Sequence, residues 1–227
     1  MQVVSANNFE YNVTMQISST MNAPSRPVAM TILAHPEPRS FCTALGDRAA
    51  RAAASSGFDL RRHDLYRDGF EPVLSVEEYR RGFSLDTAVQ AAVNDMQEAQ
   101  LIIITHPDWW GGPPAILKGW VERVFRAGIT YEYRGQEIGP KSRVGLLQHK
   151  QVLVLLTTDS DTHDDHQSLR RYWSRNVFGF CGVPNIDVHI YGPVHGSSAG
   201  TRKLWLQEAE NLRFPATATE IPSTGSP

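Results

Sequence analysis

Three short stretches of the chain combine residue types that can bind an anion or a flat ring. Residues 35–41 read HPEPRSF, residues 106–114 read HPDWWGGPP, and residues 157–166 read TTDSDTHDDH. They offer aromatic faces, imidazole and hydroxyl groups, and glycines that let the backbone approach a ligand closely. We name them the first, second and third loop stretches. The chemistry that they can perform depends on whether the fold brings them to one place.

The segments around the loop stretches alternate between strand patterns and helix patterns. Strands are predicted where short apolar or alternating runs occur, at 28–34, 58–65, 100–106, 151–158 and 186–194. Helices are predicted at 40–56, 86–99, 114–128, 166–182 and 200–212. This order predicts an α/β fold, a doubly wound five-stranded parallel sheet with helices on both faces. All three loop stretches then follow strands at the carboxyl edge of the sheet, where such folds bind ligands.

The first loop stretch leads into the N-terminus of a predicted helix. His35, Arg39 and Ser40 lie there beside the free N–H groups of the first turn, and Ser40 is a suitable N-cap. The helix dipole and these N–H groups both favour negative charge, so the pattern indicates an anion site. The alternative is an ordinary capped helix start with a solvated arginine. The dinucleotide fingerprint G-x-G-x-x-G and the Walker sequence are both missing.

The second and third loop stretches suggest how a planar group is held. The faces of Trp109 and Trp110 can flank a ring, and Gly111 lets backbone N–H groups reach its polar edge. The alternative is that one indole belongs to the core or to a subunit contact. The hydroxyl and N–H groups of Thr157 and Thr158 can bind a carbonyl or phosphate oxygen.

The HDDH sequence of the third loop stretch has the residue types of a metal site. His163 and His166 are three residues apart with two aspartates between them, but no further His or Cys cluster completes a shell. A helix start with acidic residues in its first turn is the preferred interpretation, and no metal is expected.

Composition narrows the class of protein. The chain has 227 residues and a net charge of -2, and it has no basic stripe, so neither nucleic acid nor an anionic membrane is the expected partner. The apolar runs are shorter than the roughly 20 residues that span a bilayer, so no membrane insertion is expected. The two cysteines, Cys42 and Cys181, lie far apart and are predicted to be buried free thiols. We therefore expect a cytoplasmic protein.

One domain is predicted between two polar ends. Residues 1–26 are weakly patterned and are expected to form a flexible N-terminal extension. Residues 27–213 form the predicted domain. Residues 214–227 are rich in Thr, Ser and Pro and are expected to form a flexible tail.

The chain resembles the NAD(P)H:quinone oxidoreductase family, flavoproteins of flavodoxin-like fold that include DT-diaphorase. The matching pieces, in chain order, are LAHPEPRSF, HPDWWGGPPAILKGWVERVF, VLVLLTT, FGFCGV and GPVHG followed by an arginine. They span about residues 28–212. The most specific piece is PAILKGWVERVF, residues 114–125. The resemblance implies a flavin, FAD or in some relatives FMN, and hydride transfer from NADPH or NADH to a quinone or another flat aromatic acceptor.

The resemblance also implies which residues bind the flavin. The first loop stretch would hold the diphosphate and ribityl side, the second would run along the isoalloxazine, and the third would meet its pyrimidine edge. N–H groups near the two threonines would stabilise negative charge at that edge. The implied positions are His35, Arg39, Ser40, Phe41 and Cys42; Pro107, Asp108, Trp109, Trp110 and Gly111; Thr157, Thr158, Asp159 and Ser160; and Arg202 at the dinucleotide end.

The chain departs from the family pattern at several of these positions. The family's TTGG is TTDS here, so Asp159 and Ser160 replace two glycines that lie beside the flavin. Cys42 stands in place of an asparagine, and Gly111 in place of a bulky aromatic residue.

The proton donor is the least defined part of the predicted site. The tyrosine and histidine that family members carry after TTGG have no clear counterpart, and His163 and His166 are the nearest candidates. Tyr131, with Tyr133, would line the pocket mouth from the partner chain, because family members are homodimers with active sites at the interface. The alternative for these tyrosines is a β-rich surface turn.

Two further functions fit the same resemblance. One is a flavin-binding regulatory subunit of a potassium efflux system, and the other is a tailoring reductase that acts on an aromatic natural product.

Overall fold

The computed structural model describes residues 26–135 and 142–215. The strands in these ranges are β1 (Val28–Leu33), β2 (Asp59–Asp64), β3 (Leu101–Pro107), β4 (Tyr131–Arg134), β5 (Ser142–Gly145), β6 (Gln151–Thr157) and β7 (Ile186–Tyr191). The α-helices are α1 (Phe41–Ser55), α2 (Val76–Arg81), α3 (Thr87–Glu98), α4 (Ala115–Val124), α5 (His163–Arg171) and α6 (Ala199–Glu210). A π-helical segment, Tyr172–Val177, continues α5.

Five strands form one parallel sheet in the order β2-β1-β3-β6-β7. The predicted fold class, a doubly wound five-stranded parallel sheet of flavodoxin-like type, is confirmed. The register pairs Leu33 with Thr105, Pro107 with Thr157, and Thr157 with Tyr191. The carboxyl ends of β1, β3, β6 and β7 are thereby aligned, and the loops that follow them share one edge.

The central strands are buried on both faces. Every residue of β3 is buried, as are all residues of β6 except its first, which is why these strands read as unbroken apolar runs. One face packs on a core that contains Trp120, Trp173 and Phe178. The other face packs on α1 and α6 through Leu45, Ala49 and other small or aliphatic residues. Burial of one large aliphatic side chain stabilises a fold by about 1.5–3 kcal/mol, so these two cores fix the position of the strand ends.

Two predicted helices differ from the observed ones. The helix predicted at 166–182 begins at His163, because Thr162 caps it by accepting the N–H of Asp165, and it changes to π geometry at Tyr172. The helix predicted at 114–128 ends at Val124, after which Phe125 is extended.

A helix and a hairpin were absent from the predicted elements. The six-residue helix α2 lies between the cap residues Ser75 and Gly82. The antiparallel hairpin of β4 and β5 contains Tyr131, for which a β-rich turn was the predicted alternative.

A buried ion-pair cluster attaches α2 to α4. It consists of Glu78, Asp86, Arg123 and Arg126. Nη2 of Arg123 lies 2.8 Å from Oε2 of Glu78 and 3.0 Å from Oδ2 of Asp86, and Arg126 also pairs with Glu78. The side chains of Glu78 and Arg123 are 7% and 5% exposed, so the pairing compensates charges that water cannot solvate.

The packed domain includes residues that the sequence placed outside it. Arg26 pairs with Asp59 over 3.2 Å, and Phe214 packs edge-on against Phe58. Residues 1–25, 136–141 and 216–227 lie outside the described residues, so the flexible extension and tail stay predictions. In the described ranges, no helix combines the length and the apolar character that crossing a bilayer requires.

Candidate functional site

The three loop stretches meet at the carboxyl edge of the sheet. The ring of His35 in the first loop stretch lies beside the ring of Trp109 in the second, with centroids 6.1 Å apart. Oγ1 of Thr158 donates to Oδ2 of Asp108 over 2.9 Å, and the N–H of Asp108 donates to the carbonyl of Thr157 over 2.6 Å. These bonds join the second stretch to the third. The predicted convergence of the three stretches is confirmed.

The first loop stretch forms the N-terminus of α1. Ser40 is the N-cap, and its Oγ accepts the N–H of Thr43 over 3.0 Å. Within the described chain the N–H groups of Phe41 and Cys42 have no acceptor, as is normal for the first turn of a helix. They and the helix dipole make this end suitable for an anion. The Arg39 side chain is 92% exposed and lies 3.8 Å from Glu37, so it is free to turn toward solvent.

His35 is held as a neutral ring beside this helix start. Its Nδ1 accepts the N–H of Glu37 over 3.1 Å, which leaves Nε2 as the protonated nitrogen of the neutral form. Partial burial lowers the pKa of His35, and Glu37 opposes this only in part. His35 therefore offers a hydrogen-bond donor next to Trp109.

The two buried threonines and Cys42 lie under the loops. Burial raises the pKa of the Cys42 thiol to about 12, and the hydroxyl of Thr157 opposes this weakly. The N–H of Thr158 donates to the carbonyl of Tyr191 over 3.0 Å, and its hydroxyl bonds Asp108. The Thr158 groups that were predicted to face a ligand thus join the ends of β3, β6 and β7 to one another.

The second loop stretch holds one tryptophan in solvent. Trp110 is fully exposed and has a φ of 58°, the left-handed region that side chains rarely adopt. Gly111 follows with a φ of 76°, and the N–H of Trp109 closes the turn on the carbonyl of Gly112 over 2.9 Å. Trp109 is 42% exposed. Strained backbone of this kind clusters at active sites, ligand sites and switch regions.

A buried histidine anchors the same turn from below. Nε2 of His106 accepts the indole N–H of Trp173 over 2.9 Å, so Nδ1 carries the proton and donates to the carbonyl of Pro107 over 2.8 Å. Burial lowers the pKa of His106 to about 4. The neutral ring thereby fixes the backbone on which Asp108 stands.

Asp108 carries an unused acceptor into the site. Its Oδ2 accepts the hydroxyl of Thr158, whereas its Oδ1 is buried and has no partner in the described chain. Buried polar atoms are nearly always hydrogen-bonded in native proteins, so this carboxylate oxygen is available to a donor from a ligand or from water.

The two histidines of the third loop stretch form part of a helix start. His163 is the first residue of α5, and acidic residues follow it in the first turn, which confirms the preferred interpretation of the HDDH sequence. Nε2 of His163 lies 2.8 Å from the amide nitrogen of Gln167, and Nε2 of His166 lies 2.9 Å from the carbonyl of Ser160. Nε2 of each of the two rings is therefore engaged within the protein. Over the described ranges, no group of three His, Cys, Asp or Glu residues is arranged to hold a metal ion.

His195, which is absent from the predicted site residues, contacts the third loop stretch. Both oxygens of Asp159 contact it: Oδ1 accepts its backbone N–H over 2.7 Å, and Oδ2 lies 2.7 Å from its Nδ1. The hydrogen bond from the His195 backbone is the main cause that lowers the pKa of Asp159. The sequence did contain a signal for His195. The GPVHG sequence follows β7, and parallel topology places it at the same edge of the sheet.

Two predicted site residues make their contacts elsewhere in the single chain. The ring of Tyr131 packs against Phe180 with centroids 4.9 Å apart. Nη1 of Arg202 donates to Oγ of Ser197 over 2.9 Å, within the cap of α6.

We name the region between the three loop stretches, where Trp109 and Trp110 are exposed and Asp108 lies beneath them, the slot. Four of the cavities in the described chain, of about 190 to 580 Å³, are lined by residues other than Asp108, Trp109 and Thr158.

Comparisons with known proteins support the fold and show the family. Residues 29–212 match a family model described as having a flavodoxin-like fold. The chain is 30% identical over 188 residues to an uncharacterized NAD(P)H oxidoreductase of Haemophilus influenzae, covering 79% of this chain and 91% of that protein. It is 31% identical over 216 residues to NAD(P)H dehydrogenase [quinone] 1 of Cavia porcellus, covering 81% and 76%.

Two further similarities concern quinones and the flavin. An FMN-dependent NADH:quinone oxidoreductase of Cereibacter sphaeroides is 34% identical over 97 residues, which cover 43% of this chain and 47% of that protein. The structure of an NAD(P)H:quinone oxidoreductase from Methanothermobacter marburgensis superimposes with a TM-score of 0.69 at 25% identity, covering 82% of this chain and 96% of that one.

Proposed function

The chain belongs to the NAD(P)H:quinone oxidoreductase family of flavodoxin-like fold, and we propose that it transfers hydride from NAD(P)H through a bound flavin to a quinone or another flat aromatic acceptor. The observation that carries this proposal is the buried, unpartnered Oδ1 of Asp108 at the point where the three loop stretches meet. The names of the relatives support the reaction class.

The residues present fit a flavin. The pyrimidine edge of the ring system has an N–H donor of the kind that Oδ1 of Asp108 lacks. The free N–H groups of Phe41 and Cys42 suit a phosphate at the start of α1. The indoles of Trp109 and Trp110 supply aromatic faces beside the slot. In this arrangement Asp108 meets the pyrimidine edge, the role that the resemblance gave to the threonine groups.

The protein's part in the reaction is to bind and orient, because the flavin supplies the two-electron redox chemistry when it is bound. The His106–Trp173 hydrogen bond and the Thr158–Asp108 hydrogen bond hold the slot rigid, which lowers the entropic cost of aligning the reactants. The neutral His35 donates a hydrogen bond at the end of the slot that adjoins α1.

FMN is the flavin that we propose, in place of the FAD expected from the resemblance. A relative that is 34% identical is named as FMN-dependent, and a solved azoreductase of the same fold was determined with FMN. Arg202, the residue assigned to the dinucleotide end of FAD, is bonded to Ser197 in its own helix cap.

A homodimer would complete the slot. Large apolar side chains are exposed in the single chain, among them Trp110 and Tyr133, and solvent contact is unfavourable for them. A partner chain that presents Tyr131 and Tyr133 over the open side would cover both the ring site and these residues. Light scattering on the purified protein tests this proposal: twice the mass of one chain is expected, and a monomer at micromolar concentration would contradict it.

The cofactor and the reaction are tested together. Purified protein is expected to be yellow, to release FMN identifiable by mass, and to lose its colour when NAD(P)H is added under argon. Adding a quinone should restore the colour. A colourless protein that binds neither FMN nor FAD in a titration would refute the proposed function.

Variants of two contacting residues isolate the role of Asp108. Asp108→Ala removes the orphaned Oδ1 and is expected to weaken flavin binding by about 10- to 100-fold, the value of a hydrogen bond to a charged group. Thr158→Val removes the bond between Thr158 and Asp108 but keeps Oδ1, so a much smaller loss is expected. Asp187→Ala, on the exposed face of β7, controls for loss of a carboxylate. Equal flavin affinity in wild type and Asp108→Ala would remove Asp108 from the site.

A further inference from the structure

An aspartate–histidine pair stands at the rim of the slot, where the family pattern has glycine. Oδ1 of Asp159 accepts the backbone N–H of His195, and Oδ2 lies 2.7 Å from Nδ1 of its ring. Because an ionised carboxylate only accepts hydrogen bonds, Nδ1 of His195 carries a proton. The side chain is 93% exposed, and Nε2 has no hydrogen-bond partner in the described chain.

Hydrogen bonds connect this pair to the proposed ring site. The N–H of Val194 donates to the carbonyl of Thr158 over 3.0 Å, and Thr158 in turn bonds Asp108. Gly192 lies so close to the carbonyl of Thr158 that an added Cβ would be 2.5 Å from that oxygen. The loop that carries His195 is therefore fixed to the third loop stretch, and the ring is held near the slot.

The pair has the geometry of an acid–base group. A carboxylate on one imidazole nitrogen fixes the orientation of the ring and stabilises its protonated form, while the second nitrogen exchanges a proton with a reactant. An ion pair as exposed as this one contributes little to folding. A function is therefore the better explanation for an aspartate that accepts two hydrogen bonds from one histidine.

We propose that His195 is the proton donor to the acceptor and that Asp159 is its positioning residue, an inference that rests on the function proposed above. A quinone that is reduced to a hydroquinone gains two electrons and two protons. The hydride, which originates from NAD(P)H, brings both electrons and one proton. The N–H bond at Nε2 of protonated His195 breaks to give the second proton to the quinone oxygen, and solvent protonates the neutral ring again.

The other candidates are less well placed for this role. Nε2 of His166 faces the carbonyl of Ser160, and the His163 ring is paired with Gln167. Asp159 is the charged group that contacts His195, and the rest of its loop, residues 192–198, is uncharged. The acidic residues that follow Asp159 belong to the start of α5, where Asp165 bonds Ser160.

The pairing is tested without any turnover. The chain has eight histidines, and the ring resonance of His195 is identified by NMR as the one missing from His195→Gln. Replacing the carboxylate in Asp159→Asn is expected to move the Nδ1 resonance of His195, because the hydrogen bond from Nδ1 to Oδ2 of Asp159 is then lost or weakened. An unchanged Nδ1 resonance of His195 in Asp159→Asn would overturn the role of Asp159.

Turnover with two kinds of acceptor tests the proton transfer. Ferricyanide takes one electron and no proton, whereas a quinone needs both. His195→Gln is expected to lower kcat/KM for the quinone by at least about 100-fold, as for loss of a general acid, and to retain ferricyanide reduction. His149→Gln, an exposed histidine before β6 at the opposite edge, is the matched control and should leave both activities unchanged.

The alternative outcomes complete the test. Equal losses with quinone and ferricyanide in His195→Gln would overturn the proposal, because the residue would then serve binding or folding. A quinone-selective loss in His166→Gln instead would also overturn it. A wild-type enzyme that oxidises NAD(P)H with neither acceptor would refute the proposed function itself, a result distinct from the other two.

Discussion

Because His106 is buried, we expect acid to lower the free energy of unfolding of the domain. The ring is completely buried, and its pKa is lowered from 6.5 to about 4 because burial disfavours the charged form. In the unfolded chain the same ring takes up a proton below about pH 6.5. Between these two values the unfolded state binds more protons than the folded state. The stability that depends on neutral His106 is therefore complete above pH 6.5 and is lost as pH falls toward 4.

The size of this loss follows from the two pKa values. At about pH 5 the ring in the fold is still neutral, whereas the ring in the unfolded chain is protonated in all but a few per cent of molecules. At 1.36 kcal/mol per pKa unit the cost between about pH 7 and pH 5 is about 2 kcal/mol, and it levels off near 3 kcal/mol below pH 4. This is a large share of the 5–15 kcal/mol that is typical of a native domain.

The assay compares urea unfolding at these two pH values in wild type and in His106→Gln. Glutamine does not titrate, and its carbonyl can still accept the indole N–H of Trp173. The variant is expected to be less stable at neutral pH but to lose about 2 kcal/mol less than wild type on acidification. His163→Gln, at the exposed start of α5, controls for loss of a histidine. Equal pH dependence in wild type and His106→Gln would refute the assignment of a buried neutral ring.

Three further substitutions have expected effects that urea unfolding can measure. Glu78→Ala leaves the guanidinium groups of the buried ion-pair cluster uncompensated and should lower the free energy of unfolding by about 3–5 kcal/mol. Glu77→Ala, on the exposed side of α2, should lower it by under about 1 kcal/mol. Similar losses of stability in the two variants would contradict the burial argument. Gly192→Ala drives a Cβ against the carbonyl of Thr158 and should cost about 1–3 kcal/mol, so an unchanged midpoint would refute the close approach. Trp110→Gly removes the strain of a side chain at a left-handed φ and should raise the free energy of unfolding by about 1 kcal/mol. The same variant should lower quinone turnover. A destabilised variant would show that the indole packs against the rest of the free protein.

The parallel sheet was predictable because its strands carry an unambiguous pattern. The runs that became β3 and β6 are apolar without interruption, and only a strand covered on both faces tolerates this. The predicted bounds of these two strands agree with the observed ones to within one residue at each end. Once the strands are parallel, the meeting of their loops is a matter of topology.

The elements that were missed depend on contacts distant in sequence. Helix α2 has six residues, too few for a reliable periodic signal, and its Glu78 is tied to α4 by ion pairs across 45 positions of the chain. The hairpin of β4 and β5 pairs strands of four residues, and the ring of Tyr131 packs on Phe180. Neither pattern stands out from loop sequence until the rest of the domain is folded.

The hydrogen bonds of the third loop stretch likewise depend on residues distant in sequence. Two threonines at a ligand edge suggest hydroxyl and N–H groups that are free to bind a ligand. The hydroxyl of Thr158 instead donates a hydrogen bond to Asp108, and its N–H donates to the end of β7. The replacement of glycine by Asp159 was visible in the sequence. Its partner His195 lies 36 residues later, and only the pairing of β6 with β7 shows that the two meet.

The amino-acid sequence by itself determined the order of strands and helices, the buried central strands and the set of loops that gather at one edge, since each follows from local periodicity and from the handedness of parallel connections. The tertiary structure alone decided the state of individual polar groups: that His106 is neutral, that Oδ1 of Asp108 lacks a partner, and that Asp159 holds His195. The reason is physical. Hydrogen bonding and burial depend on which atoms approach within about 3 Å of one another, and residues far apart in the chain supply those atoms.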